Sequence, residues 1–350
     1  MSRTEIEQLG EFGLIHHLTS TIQLTNESSI KGVGDDAAVL DYKDRQALVT
    51  TDLLLEGIHF DLTYVPLKHL GYKSAVINFS DIYAMNGLPK QITVSLGISK
   101  RFSVEDMDEF YEGLRLACSI YGVDIVGGDT SSSLTGFCIS ITCIGEVEKE
   151  KITYRKTAKV NDLICVSGDL GAAYMGLQLL EREKMAFNDN TNFKPDFAGK
   201  EYLLERQLKP EARKDIIQLL VGNNILPSSM IDISDGLSSD LLHICTQSGV
   251  GCAVYEERIP IDYQTAAMAE QFNMNVTTVA LNGGEDYELL FTVPMNMHER
   301  IQEISGIHLI GHITDASAGV NLVTRDNILI PLRAQGWNSL PNEEMKKNSG

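Results

Sequence analysis

No run of about 18 apolar residues occurs in the 350-residue sequence, so no segment is suited to crossing a bilayer as a helix. Basic residues are scarce. Against 48 aspartates and glutamates stand 29 lysines and arginines, a net charge of −19 that repels a polyanion unless a local basic stripe overcomes it. The densest basic groups, Lys149 to Lys159 and Lys346-Lys347, are short, mixed with acids or terminal, so no nucleic-acid partner and no membrane contact is expected. The six cysteines form no Cys-x-x-Cys pair and show no zinc-ligand spacing, which makes them small buried hydrophobes. A Walker A sequence and the His-Arg-Asp catalytic loop of protein kinases are both missing. The N-terminus, Met-Ser-Arg-Thr-Glu-Ile-Glu, carries no apolar signal segment, and a cytoplasmic location is the expectation.

What remains is a chain with 43% apolar residues and mean hydropathy near zero, long enough for two domains that each bury a core. The pattern alternates strands and helices, an α/β (α+β) class. The first twenty residues read as a helix, with Leu9, Phe12, Ile15 and Leu18 near helical spacing. Ala47 to Thr51 reads as a strand delivering Asp52 at its end, and Leu67 to Met85 as a helix with Ser74, Asn78 and Asp81 on one face. Ile92 to Ile98 alternates as a half-buried strand; Ser103 and Asp106 form a capping box for a helix that stops at Gly122. Val123 to Val126 should be a strand ending at Gly127-Gly128-Asp129, followed by an alternating strand from Phe137 to Cys143. A charged stretch from Glu148 to Asn161 marks the boundary between domains 1–150 and 151–340, with a tail over 341–350. The polar stretch 186–199 reads as a surface insertion without an assigned role.

The informative feature is acids beside glycines or at element ends: Gly34-Asp35-Asp36, Thr50-Thr51-Asp52, Ser80-Asp81, Gly127-Gly128-Asp129, Asp232-Ile233-Ser234-Asp235-Gly236 and Gly283-Gly284-Glu285-Asp286. Each alone is an ordinary turn. Several sit where α/β folds collect ligand-binding groups, and their convergence would make a multi-carboxylate pocket. Like charges gathered in this way call for cations, and oxygen ligands suit Mg²⁺ or Ca²⁺ better than zinc. Mg²⁺ in turn favours sites shared with substrate phosphates, so metal-bridged phosphate chemistry is predicted. Gly32-x-Gly34-x-x-Ala37 superficially fits a dinucleotide fingerprint, but two acids occupy the turn that would greet a pyrophosphate. A non-catalytic calcium- or nucleotide-sensing module is the alternative class, and no Asp-x-Asp-x-Asp-Gly loop supports it.

Gly32-Val-Gly-Asp-Asp-Ala-Ala-Val39, Thr50-Thr-Asp52 with Glu56-Gly-Ile-His-Phe60, Asn78-Phe-Ser-Asp81, Gly127-Gly-Asp-Thr130, Asp232-Ile-Ser-Asp-Gly236 and Gly283-Gly-Glu-Asp-Tyr-Glu288 together resemble the thiamine-monophosphate kinase family. Order and spacing match over about residues 10 to 337. The resemblance implies an aminoimidazole ribonucleotide synthetase-like fold. Its N-terminal α/β domain would pair its sheet with that of a second subunit, giving a homodimer, and its C-terminal α/β domain would cover the nucleotide. The implied reaction passes the γ-phosphoryl group of ATP to thiamine monophosphate, giving thiamine diphosphate.

By matching positions the resemblance assigns Asp36, Thr50, Thr51, Asp52, Asp81, Asp129, Asp232 and Asp235 to several Mg²⁺ ions. Of these, Asp52, Asp81, Asp129 and Asp235 would act in phosphoryl transfer. Gly128, Asp129, Arg155 and Ser234 would contact ATP, with Tyr111 near the base; His59, Glu285 and Trp337 would bind the thiamine moiety. Asp35 and Asp286 would support their neighbours. The family's usual Gly-Trp-Asp-His-Phe ending is here Gly336-Trp337-Asn338-Ser339-Leu340, a departure that bears on substrate contacts at the tail.

Overall fold

The computed structural model describes residues 17–31, 39–189 and 194–335. Its first half contains β1 (Ser29–Lys31), β2 (Val39–Leu40), β3 (Gln46–Leu55), α1 (Leu67–Ala84), β4 (Leu88–Ile98), α2 (Val104–Tyr121), β5 (Asp124–Ser132) and β6 (Cys138–Val147). The second half contains β7 (Leu163–Ser167), α3 (Ala172–Asp189), α4 (Glu201–Leu208), α5 (Lys214–Gly222), β8 (Ser229–Asp232), α6 (Leu237–Ser248), β9 (Gly251–Tyr255), α7 (Tyr263–Gln271) and α8 (Val276–Asn282). It closes with β10 (Leu289–Val293), α9 (His298–Gln302), β11 (Ile307–Thr314), β12 (Val320–Val323) and β13 (Leu329–Pro331). Among the described residues no helix is long and apolar enough to cross a membrane.

Period-two patterning makes the first sheet. Along β6 every second residue is buried, Ile139, Ile141 and Cys143 among them, and this strand lies at the centre of the order β3-β6-β4-β5. Only the β4–β5 pair is parallel. β1 and β2 form a separate antiparallel pair. Helix α2 starts at the Ser103–Asp106 capping box and ends where Gly122 takes a left-handed φ of 73°.

Helix α1 buries residues around its whole circumference, the mark of a helix enclosed on both sides. One side meets the first sheet and α2; another approaches β8 of the second sheet. A Cβ on Gly71 would stand 1.9 Å from the Phe110 carbonyl oxygen, and one on Gly113 1.7 Å from that of Lys68. The two glycines thus let α1 and α2 touch backbone to backbone, which fixes the placement of every side chain on α1.

The second sheet runs β13-β12-β9-β11-β7-β10-β8 and is antiparallel except between β9 and β12. One of its faces shares a continuous core with α1 and α2, through Leu163, Cys165, Leu289 and Phe291. The other face packs Ile164, Ile231 and Leu290 against Leu237, Leu241 and Ile244 of α6. Helices α3, α4, α7 and α8 form a smaller apolar cluster beside the sheet, built on Met175, Leu179, Leu203 and Met268.

Three boundaries differ from the sequence pattern. β3 continues through Asp52 to Leu55, paired with β6 over its full length, so Asp52 lies within the strand and not at its end. Gly127-Gly128-Asp129 also lies inside a strand, because β5 keeps its ladder with β4 as far as Ser132. The helix entering the polar stretch 186–199 runs on to Asp189.

Candidate active site

A cavity of about 1090 Å³ opens between the two halves, larger than most single small-molecule pockets. Asp52, His59, Lys73, Ser234, Asp235 and Glu285 all line it, contributed by β3, the loop after it, α1 and two loops of the second half.

One end is acidic. Asp52, on the inward face of β3, lines the cavity; Asp81 near the end of α1 lies beside it, and Asp232, the last residue of β8, beside Asp81, both outside the lining itself. The Thr50 hydroxyl donates to Asp81 Oδ2 at 2.5 Å, and the Ser80 hydroxyl to Asp232 Oδ2 at 2.6 Å. Burial, and then the Asp81 charge, push the Asp52 carboxyl up to about 6. Burial likewise raises Asp81, against the Thr50 hydrogen bond and the nearby Arg155 guanidinium. Asp232 is raised by burial and by Asp81, with Ser80 and Arg155 opposing. Asp235, just beyond β8, is raised by burial while His243 and Arg155 lower it. Burial thus outweighs the one nearby guanidinium, and the all-oxygen donor set of these carboxyls fits a hard divalent cation such as Mg²⁺.

The other end is built for recognition. In the turn after β3, Gly57 takes a φ of 79° and its N–H donates to the Phe60 carbonyl at 2.9 Å. Glu56 accepts from the Phe137 N–H at 2.8 Å and pairs with Arg101, so this segment is a braced support for His59. Leu55 N–H donates to His59 Nδ1 at 3.1 Å, which leaves Nε2 to carry the proton of the neutral ring. Opposite, Glu285 and Tyr287 both hold left-handed φ angles, 64° and 53°. Such non-glycine conformations cost about 1 kcal/mol or more each and persist where surrounding structure enforces them. Here the enforcement is visible: Glu285 N–H donates to the Ser234 carbonyl and Tyr287 N–H to that of Ile233, at 2.8 and 2.9 Å. The substrate-side loop is thereby stitched to the segment carrying Asp232 and Asp235.

The rest of that motif is scaffold. Asp286 accepts from the N–H groups of Gly171 and Ala173, at 2.7 and 3.4 Å, at the start of α3. Glu288 is enclosed by Arg206 at 2.8 Å, Arg213 and the Ser167 hydroxyl.

Several of the expected residues stand apart within one chain. Thr51 alternates to the outward face of β3, where its hydroxyl donates to the Ile141 carbonyl at 3.1 Å. Gly128 is linked to Asp52 through the row Asp52, Ile141, Val94, Gly128, three inter-strand steps or about 14 Å. Asp129 is in register with Ser95, Ser140 and Leu53, on the sheet face away from Asp52. Tyr111 is buried in α2 with its ring against Phe110, and burial pushes its hydroxyl up to about 12. Asp35, Asp36 and Trp337 lie outside the described residues. Thr25, Asn26 and Ser29, before the Gly-Asp-Asp segment, all donate to Asp124 at 2.6–2.9 Å, which anchors its approach on β5.

Sequence reasoning missed Lys73, Gln207 and Asp240. Asp240 is buried, accepts from the Asp235 N–H at 3.3 Å, and is pushed up to about 8 by burial and by Asp232 and Asp235. Asp235, Asp240 and His243 also bring ligand atoms within 4.8 Å of one another. The three-residue spacing of Asp240 and His243 on α6 was a readable signal for this cluster; Lys73 and Gln207 meet only through the tertiary fold.

Residues 34–147 match the family model for AIR synthase related protein, N-terminal domain. Thiamine-monophosphate kinase of Aquifex aeolicus (strain VF5) is 35% identical over 315 residues, covering 87% of this chain and 96% of that protein. The Bacillus subtilis (strain 168) enzyme of the same name is 33% identical over 337 residues, covering 94% and 99%. The solved structure of AaThiL complexed with AMPPCP and TMP superposes with a TM-score of 0.75 at 32% identity, over 97% of this chain and 100% of that one. With identities above 30% across nearly the full length of both relatives, and with the acidic cluster and the Glu285 loop meeting in one cleft, the chain belongs to the thiamine-monophosphate kinase family.

Proposed function

We propose that this protein transfers the γ-phosphoryl group of ATP directly to the phosphate of thiamine monophosphate, yielding thiamine diphosphate and ADP. The observation that carries the reading is one cavity lined by the raised carboxyls of Asp52 and Asp235 as well as by His59 and Glu285. A substrate with a phosphate at one end and a heterocycle at the other matches that polarity.

The acceptor is a phosphate oxygen already ionised at neutral pH, so no residue has to remove a proton from it. The main obstacle is repulsion between two polyphosphates. Asp52, Asp81, Asp232 and Asp235, with Thr50, would hold the Mg²⁺ ions, which supply charge neutralisation between phosphates when bound. Arg155, whose guanidinium already lowers Asp81, Asp232 and Asp235, adds fixed positive charge beside them. Ser234 lies in the same lining and is suited to a phosphate oxygen. His59 and Glu285 orient the thiamine end, so that the reacting oxygen lies in line rather than being sampled from solution.

In this reading residues 1–150 form the metal- and ATP-binding domain and 151–340 the domain that covers the nucleotide, in a cytoplasmic homodimer. The outward face of the first sheet supports that assembly. It exposes Val49, Leu53 and Leu55 in alternation along β3, apolar side chains that a second protomer would cover. Asp129 belongs to the same face by register, so pairing there would also give Gly128 and Asp129 a way to meet a nucleotide. Sedimentation showing only a 38.6 kDa species would overturn the dimer.

The decisive assay is thiamine diphosphate formation from ATP, Mg²⁺ and thiamine monophosphate, run beside unphosphorylated thiamine and a chelated control. Product from the monophosphate alone, lost on chelation, is expected. ATP binding without product would remove the thiamine role of His59 and Glu285.

A further inference from the structure

One buried cation of the cleft has no part in the scheme above. Lys73 lies on α1 with its side chain 11% exposed, and its Nζ stands 3.0 Å from Glu285 Oε1. The same Nζ donates to the Gln207 carbonyl at 2.9 Å. Gln207 in turn donates its side-chain N–H to the other Glu285 oxygen, Oε2, at 2.8 Å. Lysine, glutamine and glutamate thus close a ring in which both oxygens of one carboxylate are held, from two different helices.

We propose that Lys73 is the positioning residue for substrate recognition, setting the Glu285 carboxylate at a fixed place relative to the metal end of the cleft. The inference rests on the reading in which Glu285 contacts the thiamine moiety. Lys73 and Asp81 belong to the same helix, eight residues and about 12 Å apart. That helix is locked by the backbone contact at Gly71 and Gly113, so it acts as a ruler between the two ends. Glu285 cannot take its position from its own backbone alone, because the left-handed φ fixes only where the side chain departs. Its side chain is 34% exposed towards the cavity, and a carboxylate free to rotate there would present many geometries to a ligand. Holding both oxygens removes that freedom before the substrate arrives, which lowers the entropy lost on binding.

The test uses the full chain and five variants, Lys73→Met, Lys73→Arg, Gln207→Met, Glu285→Gln and the double Lys73→Met/Glu285→Gln, with KM measured for each substrate. Binding of thiamine monophosphate without ATP is measured alongside by equilibrium dialysis. Lys73→Met should raise KM for thiamine monophosphate by about 10–100-fold, the range for losing a partner that orients a contact residue. KM for ATP should stay within about twofold and kcat should fall less than KM rises; Lys73→Arg should recover most of the loss. In the Glu285→Gln background, Lys73→Met should add little further effect, because the carboxylate it positions is gone.

A folded Lys73→Met protein with unchanged KM, or with equal losses for both substrates, overturns the proposal, as does full additivity with Glu285→Gln. Should Lys73→Met fail to fold, Gln207→Met removes the other arm and must raise the same KM selectively. Wild-type protein that forms no thiamine diphosphate would instead sink the functional reading, a result distinct from unselective variants of an active enzyme.

Discussion

Two buried carboxylates on neighbouring strands of the second sheet are met by very different partners. Glu288, just before β10, has its oxygens met by Arg206, Arg213 and Ser167. Asp232, its near neighbour at the end of β8, has one serine hydroxyl, with the Asp81 charge and the Arg155 guanidinium nearby. The first group brings its own cations. Burial works against the charge of Arg206, yet Glu288, Asp286 and Asp169 hold its pKa above the ordinary arginine value. The second group has only the Arg155 guanidinium to share, and burial keeps its carboxyls raised against it. A buried acid clasped by two guanidinium groups is a structural tie, whereas several buried acids that share one guanidinium mark where a cation from solution belongs.

The comparison breaks most sharply if activity and stability respond alike at the two places. Asp232→Asn removes a metal-side carboxylate, and kcat/KM should fall by about 10²–10³-fold, comparable to losing one fixed electrostatic contact in a transition state. Its stability in urea should stay level or rise, because a buried repulsive charge has gone. Glu288→Gln should do the reverse. Leaving Arg206 and Arg213 buried beside a neutral amide should cost about 3–5 kcal/mol in urea unfolding, while the folded fraction keeps its metal dependence. A variant at Asp232 that is both active and destabilised would show that the two groups had been assigned the wrong way round.

Much of this architecture is legible in the sequence because it rests on local rules. Alternation at Ile139, Ile141 and Cys143, the capping box at Ser103 and the glycine at 122 all act within a few residues, and each appears where the pattern places it. Asp52 and Asp129 show the limit. Both looked like strand ends, yet β3 and β5 continue because their partners β6 and β4 offer ladder positions further along. The Gly283 to Glu288 motif is the deeper case. As text it is one acidic run; in the fold Glu285 faces the cleft, Asp286 caps α3 and Glu288 enters an arginine clamp. Nothing local separates these roles, since Arg206 and Lys73 lie far away in the chain.

The smallest expected effect is also the most direct reading of charge at the acidic end. Asp52 in the fold is raised from 3.8 to about 6, so between those values the folded state binds a proton that the unfolded state has released. Its contribution to stability is full below about 4 and is lost as pH rises through about 6. In chelator, wild-type protein should therefore lose ground to Asp52→Asn between pH 5 and 7, by a Tm difference on the order of 2 °C. Mg²⁺ reverses the sign of the argument, because a bound cation favours the ionised carboxylate and lowers its folded-state pKa. Adding it at pH 7 should raise the Tm of wild type more than that of Asp52→Asn. Differential scanning calorimetry of both proteins at three pH values, with and without Mg²⁺, reads all of these differences. A wild-type-minus-variant Tm that is flat with pH and indifferent to Mg²⁺ would mean that Asp52 neither lacks a cation nor holds one.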